Sequence, residues 1–218
     1  MKTVAIVQAR MGSKRLPGKV MMEVGGKPLI GYLLDRVESV RCLDAVVLAI
    51  PLCDAGSALE KYARSRNVIV YCGNDENDVA GRFASVLTDC GDWDYFVRVC
   101  ADSPLIDPGI IEGLCVAMYA QREPIISNVG MFNIPPGQHA EILDTEVFLA
   151  YEPFMSGEDR EHVTSHIYKT LYLPSMAVDT MEDFQRIRLM IEKMDGDHLN
   201  YGAMECLGLL GQRLSGLA

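Results

Sequence analysis

Between Met1 and Met22 the chain carries Lys2, Arg10, Lys14, Arg15 and Lys19 and no carboxylate, a local inversion of the field in a protein of formal net charge −10. Gly12 and Gly18 bracket Lys14 and Arg15, with Arg10 and Lys19 just outside them. Glycine lets a backbone approach a ligand closely, and several cations on one short loop suit a polyphosphate. The stretch therefore reads as a cradle for a nucleoside triphosphate. Its G-x-x-x-x-x-G spacing is neither a Walker A loop nor G-x-G-x-x-G. Phosphoryl-centre chemistry on such a ligand needs phosphate neutralisation, a divalent cation and an aligned acceptor oxygen. Mg2+ takes a few carboxylates plus water and phosphate oxygens. Asp102 and Asp179 each end a run that reads as a strand, where a metal at the sheet rim could meet them. An Asp before Ser-Pro or Thr also serves as a turn or helix cap. His162 and His166 are spaced one helical turn apart, as metal ligands can be. With no third ligand in the neighbouring sequence, helix packing or substrate contact is the better reading.

These residues need a scaffold, and the hydrophobic pattern describes one. Val4–Val7, Ala45–Ile50, Val68–Tyr71, Tyr95–Cys100 and Ile125–Val129 read as short buried strands. Between them, Pro28–Arg41, Ser57–Arg66, a helix capped by Asn77 or Asp78 and running to about Thr88, and Pro108–Gln121 read as helices. Strand and helix in alternation mark an α/β three-layer domain with a mostly parallel sheet. In such sheets ligands bind beyond the carboxyl ends of the strands. The basic loop and Asp102 both follow strands, so they should share one rim. Further on, Asp159–Tyr168 and Thr180–Lys193 read as helices, with a short strand ending at Met176–Asp179 between them. Leu199–Leu214 aligns Tyr201, Met204, Leu207, Leu210 and Leu214 along one helical side. No linker long enough to separate two domains is visible, so the expectation is one domain over residues 1–218, with 130–155 as a candidate acceptor or dimerisation arm.

The chain is 49% hydrophobic and 23% charged over 218 residues, the ordinary make-up of a soluble globular protein. Its acidity argues against a nucleic-acid or anionic-membrane partner, which would need a broad basic face. Seven cysteines, Cys42, Cys53, Cys72, Cys90, Cys100, Cys115 and Cys206, are odd in number and widely spaced. They read as reduced thiols in a cytoplasmic protein. The N-terminus enters a strand at once, without the apolar core of a signal peptide.

The blocks VAIVQARMGSKRLPGKVM, GNDENDVAGRF, VRVCADSPLIDP, REHVTSHIYK and VDTMEDFQRI resemble those of the spore-coat polysaccharide cytidylyltransferase-like family, related to the acylneuraminate and 3-deoxy-manno-octulosonate cytidylyltransferases. The resemblance covers most of the chain, and its first block is highly specific. It implies a Rossmann-like αβα nucleotidyltransferase fold, CTP, Mg2+, a small sugar acceptor and a homodimer. An acceptor oxygen would attack the α-phosphorus and release pyrophosphate. By matching position, Arg10, Arg15 and Lys19 would grip the triphosphate around Gly12, with Arg10, Lys19 and Asp102 as the catalytic set. Gln8 and Ala9 would present backbone near the base, and Asp78 and Arg82 would line the nucleotide side. Asp102 and Asp179 would hold the metal. Glu141 would meet the acceptor sugar; apart from the resemblance, His162 reads as a helix-packing or acceptor contact and His139, near Glu141, as a further acceptor-site candidate. Ala177 stands where the sialic-acid relatives carry a further acidic residue, which points away from that acceptor type.

Two other classes compete. A glycosyltransferase using a finished nucleotide sugar would show a D-x-D motif, and the chain has Asp92-Trp93-Asp94 and Asp195-Gly196-Asp197, both away from the expected strand ends. A nucleotide-sensing module would have no need to keep every loop cation and both aspartates.

Overall fold

Val4, Ala5, Ile6 and Val7 are wholly buried in β1 (Thr3–Gln8), the central strand of the computed structural model, which describes residues 1–131, 133–171, 176–202, 205, 206 and 209. A strand covered on both faces reads as a continuous apolar run, not an alternating one. Its parallel neighbours β4 (Ala45–Ile50) and β6 (Tyr95–Cys100) flank β1 and are largely buried too, and β5 (Ile69–Cys72), an edge strand with Ile69 exposed, lies beyond β4. Helices α1 (Leu29–Glu38), α2 (Ala58–Ser65), α3 (Val79–Asp89) and α4 (Pro108–Gln121) alternate with them.

The chain forms two compact units, Met1–Thr164 and Ser165–Ala218. In the first, the six strands run in the order β5-β4-β1-β6-β8-β7, where β7 is Ile125–Ser127 and β8 is Glu141–Asp144. Ala5, Val7, Val97, Val99, Leu48 and Ile50 pack on one face against buried residues of α1, α2 and α4. On the other face Phe96 meets Phe83 of α3 and Phe148 of α5 (Thr145–Tyr151), with ring centroids 5.9 and 5.0 Å apart. Helices cover both faces, so the layering is αβα and the sheet is mostly parallel, as expected.

Polar side chains start the helices. Ser57, Asp78, Asp107 and Asp144 accept backbone N–H bonds in the first turns of α2, α3, α4 and α5, as good N-caps do. Gly25 and Gly26, both at positive φ (59° and 77°), turn the two-residue hairpin between β2 (Glu23–Val24) and β3 (Lys27–Pro28).

Several local expectations differ from the structure. β8 was not visible as a strand: Glu141 follows a Pro-rich stretch, and four residues give little alternation to read. It runs antiparallel to β6 and β7, so the span 130–155 contains a sheet strand and the helix packed beside it. The single helix expected over Asp159–Tyr168 is two, α6 (Glu158–Glu161) and α7 (Ser165–Leu171). The chain leaves helical geometry at His162 (φ −100°, ψ 62°) so that Val163 and Thr164 can be buried. His162 and His166 are therefore not neighbours on one helix.

In the second unit, α8 (Met181–Glu192) starts with a capping box between Thr180 and Asp183. Of the strand expected to end at Met176–Asp179, the described residues, from Met176 onward, are irregular and lead into that cap. Met190 and Cys206 are buried beside Ile187, Met194 and Tyr201. Most of the helix expected over Leu199–Leu214 lies outside the described residues. Among the described residues, no helix is long and apolar enough to cross a membrane.

Candidate active site

β1 and β6 end side by side, with Gln8 opposite Cys100. Ala101 N–H donates to the Gln8 carbonyl at 3.0 Å, and Ala9 N–H to that of Ala49 at 3.1 Å. The two chains then diverge at the carboxyl edge of the sheet and open a cavity of about 740 Å³. The basic loop is folded back on itself: Ser13 and Gly18 N–H groups both bond the Met11 carbonyl, at 3.0 and 2.9 Å. Gly18 reaches its partner at φ 68°, a left-handed conformation open to glycine at little cost. The buried carboxylate of Asp54 accepts the Met11 N–H at 2.8 Å and fixes the root of the loop. Sequence reasoning missed Asp54, whose neighbourhood reads as an unremarkable turn after β4.

Arg10, Lys14, Arg15, Lys19, Arg82 and Arg98 line this cavity, against Glu76, Asp102 and Glu161 as its acids. Lys19 Nζ lies 2.8 Å from Asp102 Oδ2, so the basic loop and Asp102 share the rim that the strand order implied. Arg10 stands between Glu76, at 3.4 Å, and Glu161, at 3.6 Å. Arg82 is nearly inaccessible and donates to the carbonyls of Asp75 and Glu76. Its burial pushes the guanidinium pKa down, against the pull of Asp78. Its Nε is a buried donor without a hydrogen-bond partner. Cys100 also faces the cavity, but burial pushes its thiol pKa up, making it wall and not nucleophile.

Gln8, Ala9, Arg10, Arg15, Lys19, Arg82, Asp102 and His162 thus line one cavity. Gly12 sits beside it: a Cβ there would collide with Glu76 Oε1 unless that side chain moved. Asp78 is behind the wall, capping α3 and pairing with Arg160 Nε at 2.6 Å. Glu141 is 2% exposed and meets Arg98 Nη1 at 2.6 Å. His139 lies in a segment that Asn128 ties to the end of β7 through Gln138 and Ala140. Asp179 belongs to the second unit, exposed, with its N–H 3.3 Å from Asp183 Oδ2. Arg98, Glu76 and Glu161 were not singled out from the sequence. Arg98 sits inside an apolar strand run, and only that interruption marked it.

Among the described residues, no three His, Cys, Asp or Glu side chains cluster as a metal set. Asp102 nonetheless fits a hard divalent ion: it is a half-exposed carboxylate on the rim of a cationic cavity. Mg2+ commonly takes one or two carboxylates and completes its shell with water and phosphate oxygens.

A sequence model of the cytidylyltransferase family matches residues 4–195. The chain belongs to the cytidylyltransferase family. It is similar to the spore coat polysaccharide biosynthesis protein SpsF of Bacillus subtilis (strain 168), with 27% identity over 95% of this chain and 93% of that protein. Among solved structures, a cytidylyltransferase from Leptospira borgpetersenii serovar Hardjo-bovis superposes with a TM-score of 0.72 at 24% identity, over 97% of this chain and 93% of that one. CMP:2-keto-3-deoxy-manno-octonic acid synthetase, solved with CTP, gives 0.62 at 18% identity over 89% and 100%. At these identities the structural likeness establishes the nucleotidyltransferase fold. As a cytidylyltransferase-family protein the chain is a nucleotidyltransferase, and its cationic cavity lies where an open α/β sheet binds ligands.

Proposed function

We propose that this cytidylyltransferase transfers CMP from CTP to a sugar acceptor, a sugar acid or related compound, and releases pyrophosphate, in the synthesis of a surface polysaccharide or glycoconjugate. The observation that carries the reading is the cavity in which a folded cationic loop faces Asp102 across the Lys19 contact of 2.8 Å. Arg10, Arg15 and Lys19 are proposed to bind the triphosphate, with backbone at Gln8 and Ala9 toward the base and Arg82 on the nucleotide side. His162, exposed at the cavity, is proposed to meet the acceptor.

In the reaction an acceptor oxygen forms a bond to the α-phosphorus while the bond from that phosphorus to the bridging oxygen breaks. The acceptor hydroxyl loses its proton, and the electron pair leaves with pyrophosphate. Cations fixed along the loop suit this step, because preorganised charge stabilises a transition state without reorganising. Asp102 is proposed to hold Mg2+, and Asp179 is the second carboxylate that the resemblance implies. When bound, such an ion would neutralise phosphate charge. The loop's folded root keeps its cations aimed at the phosphates, and Lys19 keeps Asp102 oriented on the rim.

Asp94 of the first D-x-D sequence accepts the Lys2 N–H at 2.6 Å, before β6 begins. That places it at the opposite edge of the sheet from the cavity and disfavours the glycosyltransferase alternative. The proposed enzyme works in the cytoplasm as a homodimer. Purified protein incubated with each of the four NTPs and a panel of nonulosonic acids, octulosonic acids and sugar phosphates tests the reading by pyrophosphate release. CTP with one acceptor class is the expected positive. Glycosyl transfer from a nucleotide sugar without pyrophosphate, or metal-independent nucleotide binding without turnover on any sugar, would overturn it.

A further inference from the structure

A row of polar side chains crosses three strands at the cavity floor. Arg98 of β6 donates from Nε to Gln8 Oε1 of β1 at 3.1 Å, and from Nη1 to Glu141 Oε2 of β8 at 2.6 Å. Thr164 Oγ1 donates to the same glutamate oxygen at 3.1 Å. Gln8 and Arg98 line the cavity, while Glu141 is 2% exposed behind it.

The donor chemistry removes an ambiguity. A guanidinium has only donors, so Gln8 must meet Arg98 through its carbonyl oxygen. The orientation of this amide follows from its partner, and the planar group turns Nε2 away from Arg98. The Arg98–Glu141 contact is charge-assisted and largely out of water, which holds the guanidinium plane in place. A carboxylate so buried is tolerable because it is paired and also accepts a hydroxyl.

We propose that Arg98, held by Glu141, is a positioning residue that fixes the Gln8 amide with Nε2 toward the cavity, and that Gln8 donates there to a substrate oxygen. That oxygen is a phosphoryl oxygen of the nucleotide or an oxygen of the sugar acceptor; both offer the same acceptor chemistry. The inference rests on the cytidylyl-transfer reading and deepens it. It gives the Gln8 side chain a role where the resemblance implied only its backbone, and it places Glu141 behind the reaction and not against the acceptor.

The test uses the full chain with Gln8→Glu, Gln8→Met, Arg98→Lys and Glu141→Gln. Gln8→Glu still accepts from Arg98 but exchanges the donor for a negative charge, so Gln8→Met, which removes the donor without adding charge, is measured beside it and must raise the same KM. Gln8→Glu is expected to raise the KM of one substrate about ten-fold or more and to leave the other within about two-fold. A rise for CTP identifies a phosphoryl oxygen, and a rise for the sugar selected by the pyrophosphate screen identifies the acceptor. Arg98→Lys and Glu141→Gln are expected to raise the same KM by less. In 15N-labelled wild type, the side-chain amide signals of Gln8, identified by their loss in Gln8→Glu, should shift when that substrate alone is added. If all four variants leave both KM values within about two-fold, or the Gln8 amide signals stay unmoved in a wild type that turns over, the inference is overturned and the reaction stands. If the wild type releases no pyrophosphate with any sugar, the underlying reading fails first.

Discussion

Lys19 Nζ and Asp102 Oδ2 are 2.8 Å apart, with the two side chains 32% and 52% exposed. Ion pairs at such exposure contribute about 0–1 kcal/mol. Lys19→Ala should therefore move the melting temperature by less than about 4 °C. Pyrophosphate release should fall about 100-fold or more, the usual loss when one preorganised group that stabilises developing charge is removed. Melting and pyrophosphate assays on the same sample check both halves. Asp54 is the opposite case. Its buried carboxylate accepts the Met11 N–H at 2.8 Å, and Asp54→Ala would leave that donor unpaired at about 1–3 kcal/mol. Because Met11 is the root of the phosphate loop, this variant should also raise KM for CTP, while Asp54→Asn, which keeps an acceptor, should do so less. Equal KM values for the two variants would show that the anchor does not shape the loop.

Among the elements, α3 and α6 depend on one carboxylate. Asp78 caps α3 by accepting the Gly81 N–H at 3.1 Å and binds Arg160 of α6 at 2.6 Å. Arg160 also holds Glu152 at 2.6 Å, which steadies the short helix whose end carries Glu161 and His162 to the cavity. Burial by itself would push the Asp78 carboxyl up, but the Arg160 and Gly81 hydrogen bonds and the Arg160 charge outweigh it and hold the pKa below its ordinary value of 3.8. A carboxylate with a folded pKa below its unfolded one stabilises the fold fully above the unfolded value. That contribution fades as pH falls through the folded value. Wild type should thus lose stability more steeply than Asp78→Asn as pH drops from about 5 to 3, followed by chemical denaturation. At neutral pH, Asp78→Ala should cost about 0.5–2 kcal/mol from the lost cap alone.

For the molecule as a whole, charge is divided between an acidic chain of formal net charge −10 and a cavity with six cationic and three acidic lining residues. The attraction for a triphosphate is local, because charges are screened beyond about 10 Å at 0.1 M salt. Raising salt from about 0.05 to 0.5 M should increase KM for CTP several-fold, while the protein should fail to retard duplex DNA at any of these salt concentrations. A flat KM across that range would mean that the cations do not face the phosphates. Chelation with EDTA should stop pyrophosphate release and added Mg2+ should restore it. Full activity in EDTA would remove the metal from the proposal.

Much of this was legible in the chain because the signals are short-range. Continuous apolar runs marked β1, β4 and β6, caps such as Asp78 sat where helices begin, and Arg10, Lys14, Arg15 and Lys19 carried their charge within one loop. Together with the family blocks, these determined the layered α/β fold and the nucleotidyltransferase assignment. Tertiary structure alone decided the rest: the Gln8–Arg98–Glu141 row spans 90 and 43 residues, and the Asp54–Met11 anchor spans 43. Such contacts depend on strand register and on β8 joining the sheet antiparallel. Neither follows from the periodicity of any single segment, because register is settled only when distant strands bury their faces together.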